Sequence, residues 1–472
     1  MTGRSVPSGV RRPTPLACIT GAVFLAALIY RSAWLHNARF HPDESTVLWM
    51  ALDAVRDLQL PDHGLISSFN VFQPPGLVWV TMPFVAIGGG RPEVVIVAFA
   101  LLNAAAIALL VVTVGRLWGI VYAAVLGSFL VVGPDAFFSA SVWHSSLYTG
   151  AMALMMTAGI RLRRGSAWWA LVLVVVPGLY ALIHYSGFIL YGPALALFVL
   201  SRRSWTSVIA PISSGAVLVA CAWGPFLSFE IGRDWKDLTT LVDAADSSSS
   251  VGAKLHDRYS ALVFAVSHLG ESIRGAAHLT GVIWAMVLVA FLIAVVRRRW
   301  GDPGFAVPAA VLASGVAAQV VVNQGERSDV LIVWLVPLYA LAAWAVVQTV
   351  ELTRLAVARR PVAPALVVVV TVLIAALGSI DLANQVRFTR DDERLSEKWR
   401  AARADAPVPY DAGVNPASAN RFYLPCDPPW DWGSEIWYLK EVLHPGSGRR
   451  AAAEGGRFPL ARGTAMHAQV TV

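Results

Sequence analysis

Gly76-Leu77-Val78-Trp79-Val80-Thr81-Met82-Pro83-Phe84-Val85-Ala86-Ile87 is the stretch on which the topology turns. It is apolar apart from Thr81, and it lies between Pro74-Pro75 and Gly88-Gly89-Gly90. A helix of that length rises only about 18 Å, against the ~30 Å of hydrocarbon in a bilayer. The segment therefore reads as an interfacial or re-entrant piece. Around it lie eleven apolar runs: Leu16–Leu35, Val94–Val114, Ile120–Val132, Ser145–Ile160, Ala167–Ile183, Gly187–Leu200, Ser207–Phe229, Ala277–Val296, Phe305–Val322, Val330–Val350 and Ala365–Ala383. Charge supports the non-crossing reading. With Arg11-Arg12 inside, the clusters Arg116, Arg161/Arg163/Arg164, Arg202-Arg203, Arg297–Arg299 and Arg354/Arg359-Arg360 all fall on the same side. If the segment crossed, every later cluster would lie outside, against the positive-inside rule. The expectation is eleven spans, amino terminus cytoplasmic and carboxy terminus extracytoplasmic.

Composition agrees. The 472 residues are 56% hydrophobic and 14% charged, with a mean hydropathy of +0.60. That describes an all-α polytopic membrane protein, since backbone polar groups in lipid must be satisfied within the segment. The net charge of +7 comes as short basic clusters between apolar runs, which set topology and do not suggest nucleic acid as a partner. Lys occurs only at Lys236, Lys254, Lys398 and Lys440. This Arg bias, with Ala/Val-rich helices, fits a bacterial cell (inner) membrane protein from a GC-rich genome. Cys18, Cys221 and Cys426 form no disulfide framework. Arg4, Arg11 and Arg12 precede the first apolar run without an A-x-A-like site, so that run reads as an uncleaved anchor.

This topology puts His36–Arg91, Pro134–His144, Glu230–Ala276, Asn323–Asp329 and the tail from Asn384 on the outer face, with all ten His residues on or near it. Any chemistry is expected there. No span interior carries Asp, Glu, Lys or Arg; Arg31 and Asp381 stand near outer ends. Ion-coupled transporters need ionisable groups at mid-membrane depth, so this class is disfavoured. Residues 1–383 are expected to form the membrane domain, with first outer loop 36–91. Residues 384–472 form a small extracytoplasmic region, helical over Arg387–Arg403 and irregular around Tyr423–Trp437.

Phe40-His41-Pro42-Asp43-Glu44 opens the first outer loop. Val47, Leu48, Leu52, Val55 and Leu58 follow at helical spacing, so Asp43 stands at the start of an amphipathic helix on the membrane surface. Two readings stay open. Asp43 and Glu44 suit the N-cap and first turn of that helix. A partly desolvated carboxylate at the membrane edge can also act as general base on a hydroxyl, and a capped helix start would hold it well. Gln73-Pro74-Pro75-Gly76 is a stiff extended turn ahead of the short apolar segment.

These two elements resemble the first outer loop of GT-C glycosyltransferases, most nearly the glycosyltransferase family 39 type that includes protein O-mannosyltransferases and aminoarabinose-to-lipid-A transferases. Weaker echoes are Gly115-Arg116-Leu117-Trp118-Gly119, Pro134-Asp135, Trp223-Gly224-Pro225-Phe226-Leu227-Ser228-Phe229-Glu230, and Arg327 ahead of Trp334-Leu335-Val336-Pro337-Leu338-Tyr339. The resemblance covers most of Leu16–Leu341. It implies a GT-C-like bundle that transfers a sugar from a polyprenyl-phosphate-linked donor to a lipid, glycan or protein hydroxyl on the outer face, with inversion. Asp43 matches the family's base, and Glu44 would hold the loop or orient the acceptor. Arg327 matches a basic residue near the donor phosphate, a task suited to a bidentate guanidinium; pairing with Glu326 and Asp329 is the other reading. Asp135 matches an acid of the second outer loop, or caps a helix. His41, Gln73 and His144 complete the candidate substrate-binding set. No His/Cys/Asp spacing reads as a metal site and no phosphate loop occurs, so no cofactor is expected, a divalent cation being the one that could be accommodated. The competing class is a non-catalytic lipid or polysaccharide exporter. A polymerase relying on loop arginines is a third reading, but Arg233, Arg258 and Arg274 are spread out.

Overall fold

The computed structural model describes residues 14–240 (except 39, 67–70 and 139), 260, 277–322, 328–356, 362–388, 394–403, 438–439 and 442–443. Each of the eleven apolar runs is a helix. They are α1 (Pro15–Ser32), α4 (Pro92–Trp118), α5 (Ile120–Val132), α7 (Tyr148–Arg164), α8 (Trp169–Ile183), α9 (Tyr191–Ser201), α10 (Trp205–Ile231), α11 (Ala277–Val296), α12 (Pro303–Val322), α13 (Ser328–Ala356) and α14 (Val362–Phe388). Between them stand α2 (Pro42–Asp57), α3 (Gly76–Gly88) and the single turn α6 (Asp135–Phe138), and α15 (Leu395–Arg403) follows. Ile66 and Phe72 form an isolated antiparallel bridge.

Among the described residues six helices are long and apolar enough to cross a bilayer: α1, α4, α10, α11, the Trp334–Thr353 part of α13, and Ala365–Arg387 of α14. The protein is a membrane protein. Shorter apolar helices include α3, α5 and α8. Leu288, Leu292, Val368 and Val372 on α11 and α14 are well exposed, as lipid-facing apolar side chains are. Local signals set the boundaries. Thr14 caps α1, its Oγ1 accepting from Ala17 N–H, with Pro15 in the first turn. Gly119 alone joins α4 to α5, at φ +98, a conformation open to glycine at little cost.

The apolar side chains form two clusters. The larger is the bundle core around α13, which is buried at every residue from Trp334 to Val346. Polar bonds tie the helices together within it. Tyr122 OH donates to Ala340 O at 2.8 Å. Asn103 of α4 donates to Ser146 O at 2.6 Å and accepts from Gly150 N–H at 2.7 Å. The second cluster is an outer layer of α2, α3, Val95, Ile96 and Phe99 of α4, Ala140 and Val142, and the C-terminal residues Leu395, Trp399, Tyr438 and Leu439.

The two ionisable residues noted near outer ends are both engaged. Arg31 is 0% and Asp135 1% exposed, with Nη2 to Oδ2 at 2.9 Å. Asp381 caps α11, accepting from Leu279 N–H at 2.7 Å and lying 2.8 Å from His278 Nδ1. A carboxylate at a helix N-terminus satisfies its open N–H groups and its positive dipole end.

Candidate active site

Helix α2 begins two residues earlier than a cap at Asp43 requires. His41 is the N-cap, with extended backbone (φ −109, ψ 168), and Pro42 occupies the first helical position, where its missing N–H costs nothing. Glu44 Oε2 accepts from His41 N–H at 2.9 Å, the returning arm of a capping box. Glu44 is 4% exposed and ties the loop to the helix. Asp43 is half-buried in the same turn. The two adjacent carboxylates thus have different surroundings: one closes the helix start and the other stays at the margin of water.

The Gln73-Pro74-Pro75-Gly76 element is fixed from two sides. Gln73 N–H donates to Leu65 O at 2.9 Å, and Gln73 O accepts from Gly64 N–H at 2.6 Å; its side chain is 5% exposed. Gly76 lies against the backbone of Leu182 and Ile183 so closely that a Cβ would stand 2.6 Å from Leu182 C and O. Tyr185 OH donates to Phe72 O at 2.9 Å. The element is therefore held at the end of α8, beside His184.

His184 stacks on His144 with ring centroids 3.8 Å apart and planes at 9°; both rings are buried. His184 Nδ1 accepts from Ser186 N–H at 3.1 Å and lies 2.6 Å from Ser186 Oγ. This makes Nδ1 the unprotonated nitrogen and the ring neutral. Tyr148 OH bonds Ser186 Oγ, and Tyr180 OH donates to His144 O. His144 and Gln73–Gly76, far apart in sequence, are thereby brought to one place through His184.

Asp135 stands in a different setting. Oδ2 accepts from Arg31 Nη2 and from Thr149 Oγ1 (2.6 Å), and Oδ1 from Tyr339 OH (2.8 Å). Its oxygens are committed to scaffold, joining the end of α1 and the start of α7 to the interior of α13. Arg327 lies outside the described residues. Among the described residues no three His, Cys, Asp or Glu side chains gather as metal ligands.

One aromatic and ionic group escaped sequence reading. His63 stacks on Phe229 (4.5 Å, 19°), and Arg233 lies over Phe72 at 4.4 Å and Phe229 at 5.1 Å, within cation–π range. Arg233 also pairs with Asp237 at 3.3 Å. The hydrogen bond with His63, 2.6 Å away, holds the Asp62 carboxyl below its ordinary value. The aromatic ends of Val71-Phe72 and Leu227-Ser228-Phe229 were the available signal, but only folding pairs them.

No protein-family model matches the chain, and no curated protein matches it. Solved structures do. ArnT from Cupriavidus metallidurans bound to undecaprenyl phosphate matches with a TM-score of 0.55 at 14% identity, over 93% of this chain and 88% of that one. The same enzyme in the apo state gives 0.54 at 16%, over 83% and 81%. The Archaeoglobus fulgidus oligosaccharyltransferase with zinc and sulfate gives 0.49 at 13%, over 89% and 61%. The arrangement of helices is the fold of ArnT, reached with few residues in common.

Proposed function

We propose that the chain is a membrane glycosyltransferase that moves a sugar from a polyprenyl-phosphate donor to an acceptor hydroxyl on the extracytoplasmic face. The observation that carries this reading is the first turn of α2. Glu44 bonds back to His41 N–H, and the neighbouring Asp43 sits half-buried in the same turn without being the N-cap residue. Asp43 takes the proton from the acceptor O–H. The freed oxygen attacks the anomeric carbon from the face opposite the phosphate, and the C–O bond to phosphate breaks. The bonding pair leaves with the polyprenyl phosphate, and the configuration inverts. Arg327 is assigned to the leaving phosphate, where a guanidinium stabilises growing charge. Gln73, His41 and His144 are assigned to the walls around the donor sugar, and Asp135 to the scaffold of the second outer loop. A polyprenyl-phosphate lipid as partner is supported by ArnT, a protein of the same fold, having been crystallised with undecaprenyl phosphate.

The proposed orientation has the amino terminus inside and α2, α3 and the C-terminal region outside, as the Arg clusters require. The test is lipid analysis of a deletion strain complemented with the native chain or with Asp43→Asn. Accumulation of one polyprenyl-phosphate sugar in the deletion and in the Asp43→Asn strain, cleared by the native chain, is the expected result. Unchanged donor pools and glycans in the deletion overturn the reading, and an active Asp43→Asn protein points to an exporter or binding role.

A further inference from the structure

The C-terminal residues rest on the loop that carries Asp43. Leu395 N–H donates to Ala38 O at 2.9 Å, five residues before Asp43. Trp399 Nε1 donates to Glu93 Oε1 at 2.6 Å in the first turn of α4, and Arg91 lies over the Trp399 ring at 6.0 Å. Tyr438, 0% exposed, packs edge-on against Trp49 of α2 at 5.4 Å and tilted against Phe40 at 6.3 Å. Its hydroxyl donates to Gly90 O. Val442 lies close beside Gly90. Two pieces, remote in sequence, thus touch the chain before Asp43, the helix after it, and the connection between α3 and α4.

From these contacts we infer that the C-terminal region is a clamp for the first outer loop, and that Tyr438 is a positioning residue for Asp43. The inference rests on the reaction proposed above. A 16-residue helix such as α2 is marginal by itself in water and takes its order from what covers it. The face of α2 carrying Val47, Leu48, Ala51 and Leu52 packs with α3 in the outer cluster. Phe40 and Trp49 are closed off by Tyr438 from above. Burial pushes the Tyr438 phenol far up, so it remains a hydrogen-bond donor at any working pH. Removing the ring frees Phe40 and Trp49 together, and the residue between them that moves is Asp43. A displacement of about 1 Å at a reacting group costs on the order of 100-fold in rate.

The test uses the full chain with Cys18→Ser, Cys221→Ser and Cys426→Ser, carrying Asp43→Cys or, as reference, Asp62→Cys. Labelling with a membrane-impermeant maleimide is followed with and without Tyr438→Ala. Labelling at 43 is expected to rise roughly two- to tenfold, the effect of losing one aromatic contact on local opening, while position 62 stays constant. Tyr438→Phe keeps the ring and restores most of the native rate. Trp399→Phe, which deletes the bond to Glu93 and shrinks the ring under Arg91, gives a smaller rise at 43 should Tyr438→Ala fail to fold. An unchanged rate at 43 overturns the clamp, as does an equal rise at 43 and 62. In the native-cysteine chain, Tyr438→Ala is expected to slow clearance of the lipid-linked sugar about 10- to 100-fold while binding of undecaprenyl phosphate is retained. The two ideas fail separately. Inactive Asp43→Asn with fully active Tyr438→Ala removes the clamp and leaves the reaction. Active Asp43→Asn with the expected labelling removes the reaction and leaves the clamp on the loop.

Discussion

Asp135→Leu is the perturbation that most directly tests how α1, α7 and α13 are held together. The carboxylate is 1% exposed and its partner guanidinium 0%; it accepts from Arg31, Thr149 and Tyr339 at 2.9, 2.6 and 2.8 Å. Removing one member of a buried ion pair leaves an uncompensated charge and costs about 3–5 kcal/mol. Stranding the two hydroxyls adds about 1–3 kcal/mol each when taken singly, but groups in one network do not add, so a total near 4–5 kcal/mol is expected. For a chain of this size that lowers the apparent unfolding midpoint by roughly 5–10 °C. Arg31→Met costs less, because Tyr339 and Thr149 still donate to the carboxylate. The double variant Arg31→Met/Asp135→Leu is milder than Asp135→Leu alone, since no buried charge is stranded. The assay is thermal unfolding of the purified protein in detergent, by loss of monodisperse protein after heating. An Asp135→Leu midpoint equal to that of the native chain, or a double variant as damaged as the two single changes summed, refutes the reasoning.

Glu44→Gln keeps an acceptor for His41 N–H and should retain most turnover, whereas Asp43→Asn should abolish it in a protein of native thermal midpoint; the lipid-linked sugar pool reads both. Gly76→Ala places a methyl 2.6 Å from the backbone of Leu182, which cannot give way as a side chain would. A loss of about 1–3 kcal/mol is expected, and an unchanged midpoint would disprove the close contact of α3 with α8. Asn103→Leu strands Gly150 N–H and Ser146 O and should cost about 1–3 kcal/mol, measured the same way. The lowered Asp62 carboxyl contributes stability that is present above its unfolded value and is lost as pH falls through its folded one. His63→Ala should flatten that acid-side loss in midpoint-against-pH curves, a small effect because Asp62 is half-exposed.

The sequence by itself determined which segments enter the bundle and where the first loop carries its acids. Every apolar run became a helix, because hydrocarbon leaves the backbone no other way to satisfy its polar groups. The spacing after Asp43 became α2 for the same local reason, a periodic apolar face. What local pattern could not show was which of the two acids bonds back to the helix start, since both suit that position and only the bond from His41 N–H singles out Glu44. Nor could it show that Arg31 finds Asp135, 104 residues on, that Gly76 must be glycine because the end of α8 lies against it, or that Tyr438 covers Phe40 and Trp49. Those are contacts between remote segments. Local pattern fixes the faces that helices present, but packing of whole elements decides which side chains meet.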